Sequence, residues 1–299
     1  MSATAAGAAA LPRFEPALMR RKMTGTIFYG LCLAAIGILL LTLLLLLYDV
    51  LVRGLPWLDG DFLTGVPSRR PERAGVLPAI VGSAQIGIIV GFLTFPTGVA
   101  AAIYLNEYAS DSWANRLLQM NISNLAGVPS IIYGIFGLAP FVRLLGLGPT
   151  LLAGALTLTL LVLPIVIVAS IEALKAVPDS QREGAYALGA TRWQMVRGTV
   201  LPAAMPGMMT GIILAMARAI GETAPLILVG AFTFVTFLPN PIEGGYTVLP
   251  IQVFQWATRP QEDFQGISAA AIIVILFLML VLNAAALFVR ARLSRHIQW

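Results

Sequence analysis

A chain of 299 residues that is 58% hydrophobic and 11% charged lies far from an ordinary soluble domain, where roughly a quarter of residues are charged. Its net charge of +5 comes from basic residues dispersed between apolar runs, a pattern that orients a chain in a bilayer and that argues against a nucleic-acid partner. The single Cys32 cannot form an intrachain disulfide, and the single His296, near the end of the chain, leaves neither a His/Cys metal cluster nor a placed histidine base. The composition predicts an all-α polytopic integral membrane protein without soluble-enzyme chemistry.

Residues 1–27 read as a tail, with Arg13, Arg20, Arg21 and Lys22 against Glu15. Phe28 to Tyr48 gives about 20 uncharged residues, long enough to cross ~30 Å of hydrocarbon, and reads as a retained helix rather than a signal peptide. A charge-balanced loop follows to Gly75. From Val76 to Leu105 about 30 residues carry no charge, so tilt or a break at Pro96 is expected. A third run, Asn121 to Leu145, is glycine-rich and interrupted by Pro129, Pro140 and Arg143. Thr150 to Ser170 is the fourth and cleanest. The polar segment 171–202 precedes a fifth run, Ala203 to Phe237, and a sixth covers Ser268 to Val289 before the tail 293–299.

Six spans put both termini on one side, and the excess of Lys and Arg there makes it the cytoplasm of a multi-pass cell-membrane (inner-membrane) protein. Segment 171–202 then also faces the cytoplasm. Asp179 or Ser180 can cap a helix with Glu183 in its first turn, in a Ser-x-x-Glu capping box, and Gly189 can end it in a left-handed turn. A second helix from about Thr191 to Thr199 would present Trp193 and Val196 on one face. Two short helices about a glycine make a knob, which physics alone reads either as a partner contact or as an interfacial helix anchored by Trp193.

The fifth run contains Arg218 about fifteen residues in, roughly 20 Å deep at ~1.5 Å per residue, near the middle of a bilayer. Such an arginine costs ~2.5–3.5 kcal/mol to insert and marks a functional position by default. Glu222, at i+4, can partly neutralise it. A pair that only fixes helix packing is one reading. The other is an anion pathway, since guanidinium is a permanent cation whose fork of donors matches phosphate or carboxylate. Gly221 and Pro225 permit close helix approach and a break in backbone bonding. An ion-coupled secondary transporter using Glu222 is the alternative from another class, although no internal repeat supports it.

Glu183, Ala185, Gly189 and Leu201-Pro202 stand at the spacing of the Glu-Ala-Ala loop of ATP-binding-cassette (ABC) importer permeases, with Gly184 replacing the first alanine. The block Arg218-Ala219-Ile220-Gly221-Glu222-Thr223, followed by Ala224-Pro225-Leu226, is similar to permease subunits of the phosphate-specific importer, the A-type subunit in particular. Gly127-Val128-Pro129-Ser130-Ile131-Ile132-Tyr133-Gly134-Ile135-Phe136-Gly137, Leu249-Pro250 through Trp256, and Asn283 resemble the same family. The resemblance covers most of residues 76 to 292 and implies a type I importer permease fold, with a permease domain over 28–292.

It further implies that Arg218, Glu222 and Thr223 lie on the substrate pathway. By the same resemblance Glu183, Gly184, Ala185, Leu188, Gly189, Ala190, Trp193, Leu201 and Pro202 form the loop that seats in an ATPase. The implied partners are a second homologous permease in a heterodimer, two ATPase subunits, an extracytoplasmic phosphate-binding protein, inorganic phosphate and membrane lipid. No Gly-x-x-x-x-Gly-Lys-Ser/Thr phosphate loop occurs in the sequence, so ATP and Mg are expected on the partner ATPase, with no cofactor and no metal in this chain. Another oxyanion remains an alternative cargo.

Overall fold

A computed structural model describes residues 18–231 and 234–294. Arg13 and Glu15 of the amino-terminal tail, and Arg295 and His296 of the carboxyl-terminal one, lie outside the described residues. Among those described there is no β-strand.

Helix α1, Leu18–Gly54, is longer than the uncharged run that predicted it, beginning well before Phe28 and continuing past Asp49. Charged residues at the ends of a spanning helix keep helical backbone while their side chains reach the interface. Up to Asp49 it forms a separate compact unit, and its side chains from Leu31 to Tyr48 are largely exposed, as those of a lipid- or partner-covered helix are. The second unit, Val50–Trp299, contains everything that follows.

A short α2, Gly60–Thr64, is capped by Asp59, whose carboxylate accepts from Phe62 N at 2.7 Å. Helix α3, Leu77–Ile103, starts with Pro78 where no backbone donor is needed. Of the two expectations, tilt or a break at Pro96, the break does not occur: the helix runs on through Pro96 and ends in a π turn, Tyr104–Tyr108. Packing on a neighbour holds it: at Gly98 α3 comes so close to the next long helix that a Cβ would stand 2.7 Å from Val166 Cγ1.

The third run is not one helix. α4, Trp113–Leu125, and α5, Ser130–Gly137 with a π continuation to Leu144, meet at 107°. Pro129 disfavours helical backbone at the residue before it, and the Tyr133 hydroxyl donates to Leu125 O at 2.8 Å, satisfying a carbonyl at the end of α4. Among the described residues, five helices are long and apolar enough to span, or six if this bent pair counts as one span.

Helix α6, Leu151–Lys175, is the centre of the unit. Thr150 caps it, and Leu151, Leu158, Leu161, Val162, Val166 and Leu174 are buried against α3, α5 and the helix that follows the knob. After the knob helices α7, Asp179–Ala187, and α8, Arg192–Met195, comes α9, Leu201–Gly221. α9 crosses α6 at small residues: Gly207 faces Ala173, and Gly211 faces Ala169. In a bilayer, where lipid tails are as apolar as leucine, such close backbone approach supplies much of helix association.

The fifth run is also interrupted. α9 stops at Gly221 and α10, Ala224–Leu228, restarts after a two-residue break, packing on α5 where Gly134 meets Pro225 and Leu228. α11, Leu249–Ala257, docks on α3 through Leu249 N donating to Ser83 Oγ at 2.8 Å. Its Trp256 is fully buried against Phe62 and Phe264 beside α12, Glu262–Ser294.

Gly211→Leu is expected to force α6 and α9 apart and cost about 1–3 kcal/mol of stability, read as a lower thermal midpoint in detergent. Gly184→Ala, at an exposed position in α7 where a Cβ meets nothing within 4 Å, should leave that midpoint unchanged or raise it.

Candidate functional site

The knob is built from two helix-end motifs in tandem. At the end of α7, Gly189 takes φ +79°, Ala190 N donates to Ala185 O at 3.1 Å and Gly189 N to Tyr186 O at 2.9 Å. These are the paired bonds of a Schellman stop. Thr191 then starts α8 with a capping box: its Oγ1 accepts from Gln194 N at 3.4 Å, and Gln194 Oε1 accepts from Thr191 N at 2.8 Å.

The expected box at Ser180 and Glu183 does not form. Pro178 occupies the cap position of α7 with no side-chain cap, and Glu183 is exposed. Trp193 and Val196 do not share a face either: Trp193 is 55% exposed and Val196 fully buried. The reason is continuity. Instead of stopping near Thr199, the chain passes from α8 through a π turn, Val196–Val200, directly into α9. Leu201 and Pro202 are therefore the first turn of the long helix and no separate hinge. What the knob shows to solvent is Leu188, 91% exposed, with Tyr186, Trp193 and Glu183 around it. Ala185 turns inward onto the core.

Sequence reasoning missed the group that holds the knob. Arg182, next to Glu183, points inward and donates to Glu107 Oε1 at 3.0 Å, Asp179 Oδ1 at 3.0 Å, Val177 O at 2.7 Å and Leu174 O at 2.9 Å. Its side chain is 16% exposed and that of Glu107 6%. Glu107 also accepts from Asn106 Nδ2 at 2.8 Å. The available signal was Glu107 as the first charge after the long uncharged run from Val76.

The second feature lies at the far end of α9. Arg218 is in its last turn, and Glu222 is extended at φ −77°, ψ 131°, so Glu222 ends the helix rather than riding on it. The two still meet: Arg218 Nε donates to Glu222 Oε1 at 3.2 Å, with side chains 40% and 18% exposed. Among the described residues, no other hydrogen bond from the Arg218 guanidinium or from the Thr223 hydroxyl is present, which leaves donors on both side chains for another ligand. The site therefore sits at a helix break. Its geometry is an arginine fork anchored by one nitrogen, beside the two residues, Glu222 and Thr223, that separate α9 from α10.

Residues 94–297 match the family of binding-protein-dependent transport system inner membrane components. The chain belongs to this family. It is a membrane permease of the ABC importer class, whose members generally work with a second permease, ATPases and a binding protein. The chain is 32% identical to the phosphate transport system permease protein PstA 1 of Mycobacterium tuberculosis, over 95% of this chain and 94% of that protein. It is 41% identical to the probable ABC transporter permease protein YqgH of Bacillus subtilis, over 56% of this chain and 57% of that one. A solved bacterial ABC transporter involved in import of the acidic polysaccharide alginate superposes with a TM-score of 0.63, at 14% identity over 92% of this permease and 98% of that chain, and establishes the type I importer permease fold. An ion-coupled secondary transporter is thereby set aside.

Gly189→Ala places a side chain at a positive φ and should cost about 1–2 kcal/mol locally. Faster amide hydrogen exchange from Leu188 to Arg192, with α6 and α9 unchanged, is the expected measurement.

Proposed function

We propose that this permease is one half of the translocation pathway of an ATP-driven importer of inorganic phosphate. Supporting the cargo are its likeness over nearly the whole chain to permeases named for phosphate transport and one observation at the site: Arg218 commits Nε to Glu222 and keeps its terminal amino groups for an anion. A phosphate dianion would take that fork in bidentate fashion, with the Thr223 hydroxyl beside it. Glu222 holds the arginine between passages and competes with the anion for it, keeping binding weak enough for release.

The knob seats in a groove of an ATPase subunit, which carries ATP and Mg; the permease itself has no cofactor. Leu188 and Trp193 provide the apolar contact, Glu183 a polar anchor, Gly189 and Ala190 the turn, and Gly184 and Ala185 the helix behind it. Leu201 and Pro202 pass the movement into α9. The remaining partners are a second, homologous permease completing a heterodimer, a second ATPase subunit, an extracytoplasmic phosphate-binding protein and the surrounding lipid. The knob, and with it both termini, face the cytoplasm, as the distribution of Lys and Arg favours.

With membrane levels equalised, Arg218→Ala is expected to reduce labelled phosphate uptake by at least about tenfold, and Arg218→Lys, which keeps the charge but loses the fork, by less. Wild-type uptake in both variants removes Arg218 from the pathway. Excess sulfate should not compete; equal competition by sulfate makes the cargo another oxyanion. Leu188→Asp should reduce co-purification of the ATPase by about tenfold or more, as a charge placed at the centre of a contact does.

A further inference from the structure

The chain itself ties the knob to two spanning helices, to α6 through residues 176–178 and to α9 through the π turn Val196–Val200. A third route is made by side chains and reaches α3. From α7, Arg182 bonds Glu107; from α8, the Arg192 guanidinium lies over the Tyr108 ring, 5.0 Å from its centroid. Both halves of the knob thus grip one π turn, Tyr104–Tyr108, at the end of α3.

Arg182 also takes two carbonyls, Leu174 O and Val177 O, at the end of α6, where a cation is favoured by the helix dipole. With four acceptors and little solvent, the guanidinium cannot rotate away without leaving Glu107 buried and unpaired. Farther along, α3 lies beside α9 so that Gly91 faces Met216 and Gly87 faces Ile220, the positions on either side of Arg218 in the chain.

We propose that Glu107 and Arg182, seconded by Tyr108 and Arg192, are positioning residues that carry movement of the knob into α3, so that α3 and α9 shift together around Arg218. The inference rests on the knob as the ATPase-docking element and is independent of which anion is carried.

The test uses the full complex with its second permease, ATPases and binding protein in lipid nanodiscs. In a Cys32→Ser background, an environment-sensitive fluorophore is attached at Ile88→Cys on α3 or at Leu214→Cys on α9, positions 71% and 65% exposed. Both labels should respond to Mg-ATP. Glu107→Gln should reduce the response at position 88 by at least about fivefold while that at 214 stays within about twofold. Tyr108→Leu leaves no buried charge unpaired and should reduce the response at 88 about twofold or more.

A full response at 88 in both variants overturns the inference. So does an equal loss at 88 and 214, or a Glu107→Gln complex that sheds its ATPases while Tyr108→Leu behaves as wild type, since the pair would then only maintain the knob's fold. A wild-type complex in which neither label responds to Mg-ATP removes the docking reading and the inference with it. Loss of phosphate uptake with both labels responding normally touches the cargo alone.

Discussion

One guanidinium decides how the knob end of this permease is put together. The last turn of α6 leaves carbonyls without helical partners, α3 ends in a π turn bearing a carboxylate, and α7 begins at a proline with no side-chain cap. Arg182 ties them together at one point, donating to Leu174 O and Val177 O at and just past the α6 end, to the Asp179 carboxylate of α7 and to the Glu107 carboxylate of α3. A lysine could not replace it, because an ammonium has three donors and no planar fork to reach four acceptors.

That junction matters because the rest of the unit is held by contacts without direction. α6 is enclosed by α3, α5 and α9, and its meeting with α9 is a near-contact of Gly207 and Gly211 with alanines. Small-residue seams let the two backbones approach closely, with Ile167 and Ile171 of α6 and Met208 and Ile212 of α9 buried in the same core. Polar bonds are concentrated at the ends: Ser83 with Leu249 N, Ser268 with Val253 O, Arg182 with its four acceptors. Directional bonds thus sit near helix ends, and close apolar contacts lie between them.

Much of this was legible in the residues. The uncharged runs marked the long apolar helices, Gly189 marked the left-handed turn, and Arg218 at i+4 from Glu222 marked an ion pair, which the structure forms. Helix ends were misplaced because charged and polar residues flanking a span continue the helix, as they do at both ends of α1. A capping box was expected on α7, from Asp179 or Ser180 with Glu183, but Pro178 takes the cap position there, and the box forms instead on α8 from Thr191 and Gln194. The bend between α4 and α5 needed the Tyr133 hydroxyl, eight residues from the carbonyl it satisfies. Glu107 and Arg182 are 75 residues apart, and nothing local in the sequence says that two such residues meet.

The π turn at Val196–Val200 sets a phase as well as a connection. Each residue added to an α-helix turns everything beyond it by about 100°, and a π turn absorbs one such residue without a break in the axis. The direction in which Arg218 faces is therefore indexed to the direction in which Trp193 faces, by the number of residues between them and by that one widened turn. Between Trp193 and Arg218 the chain behaves like a keyed shaft, in which a single inserted residue would leave both ends intact and their relative orientation wrong.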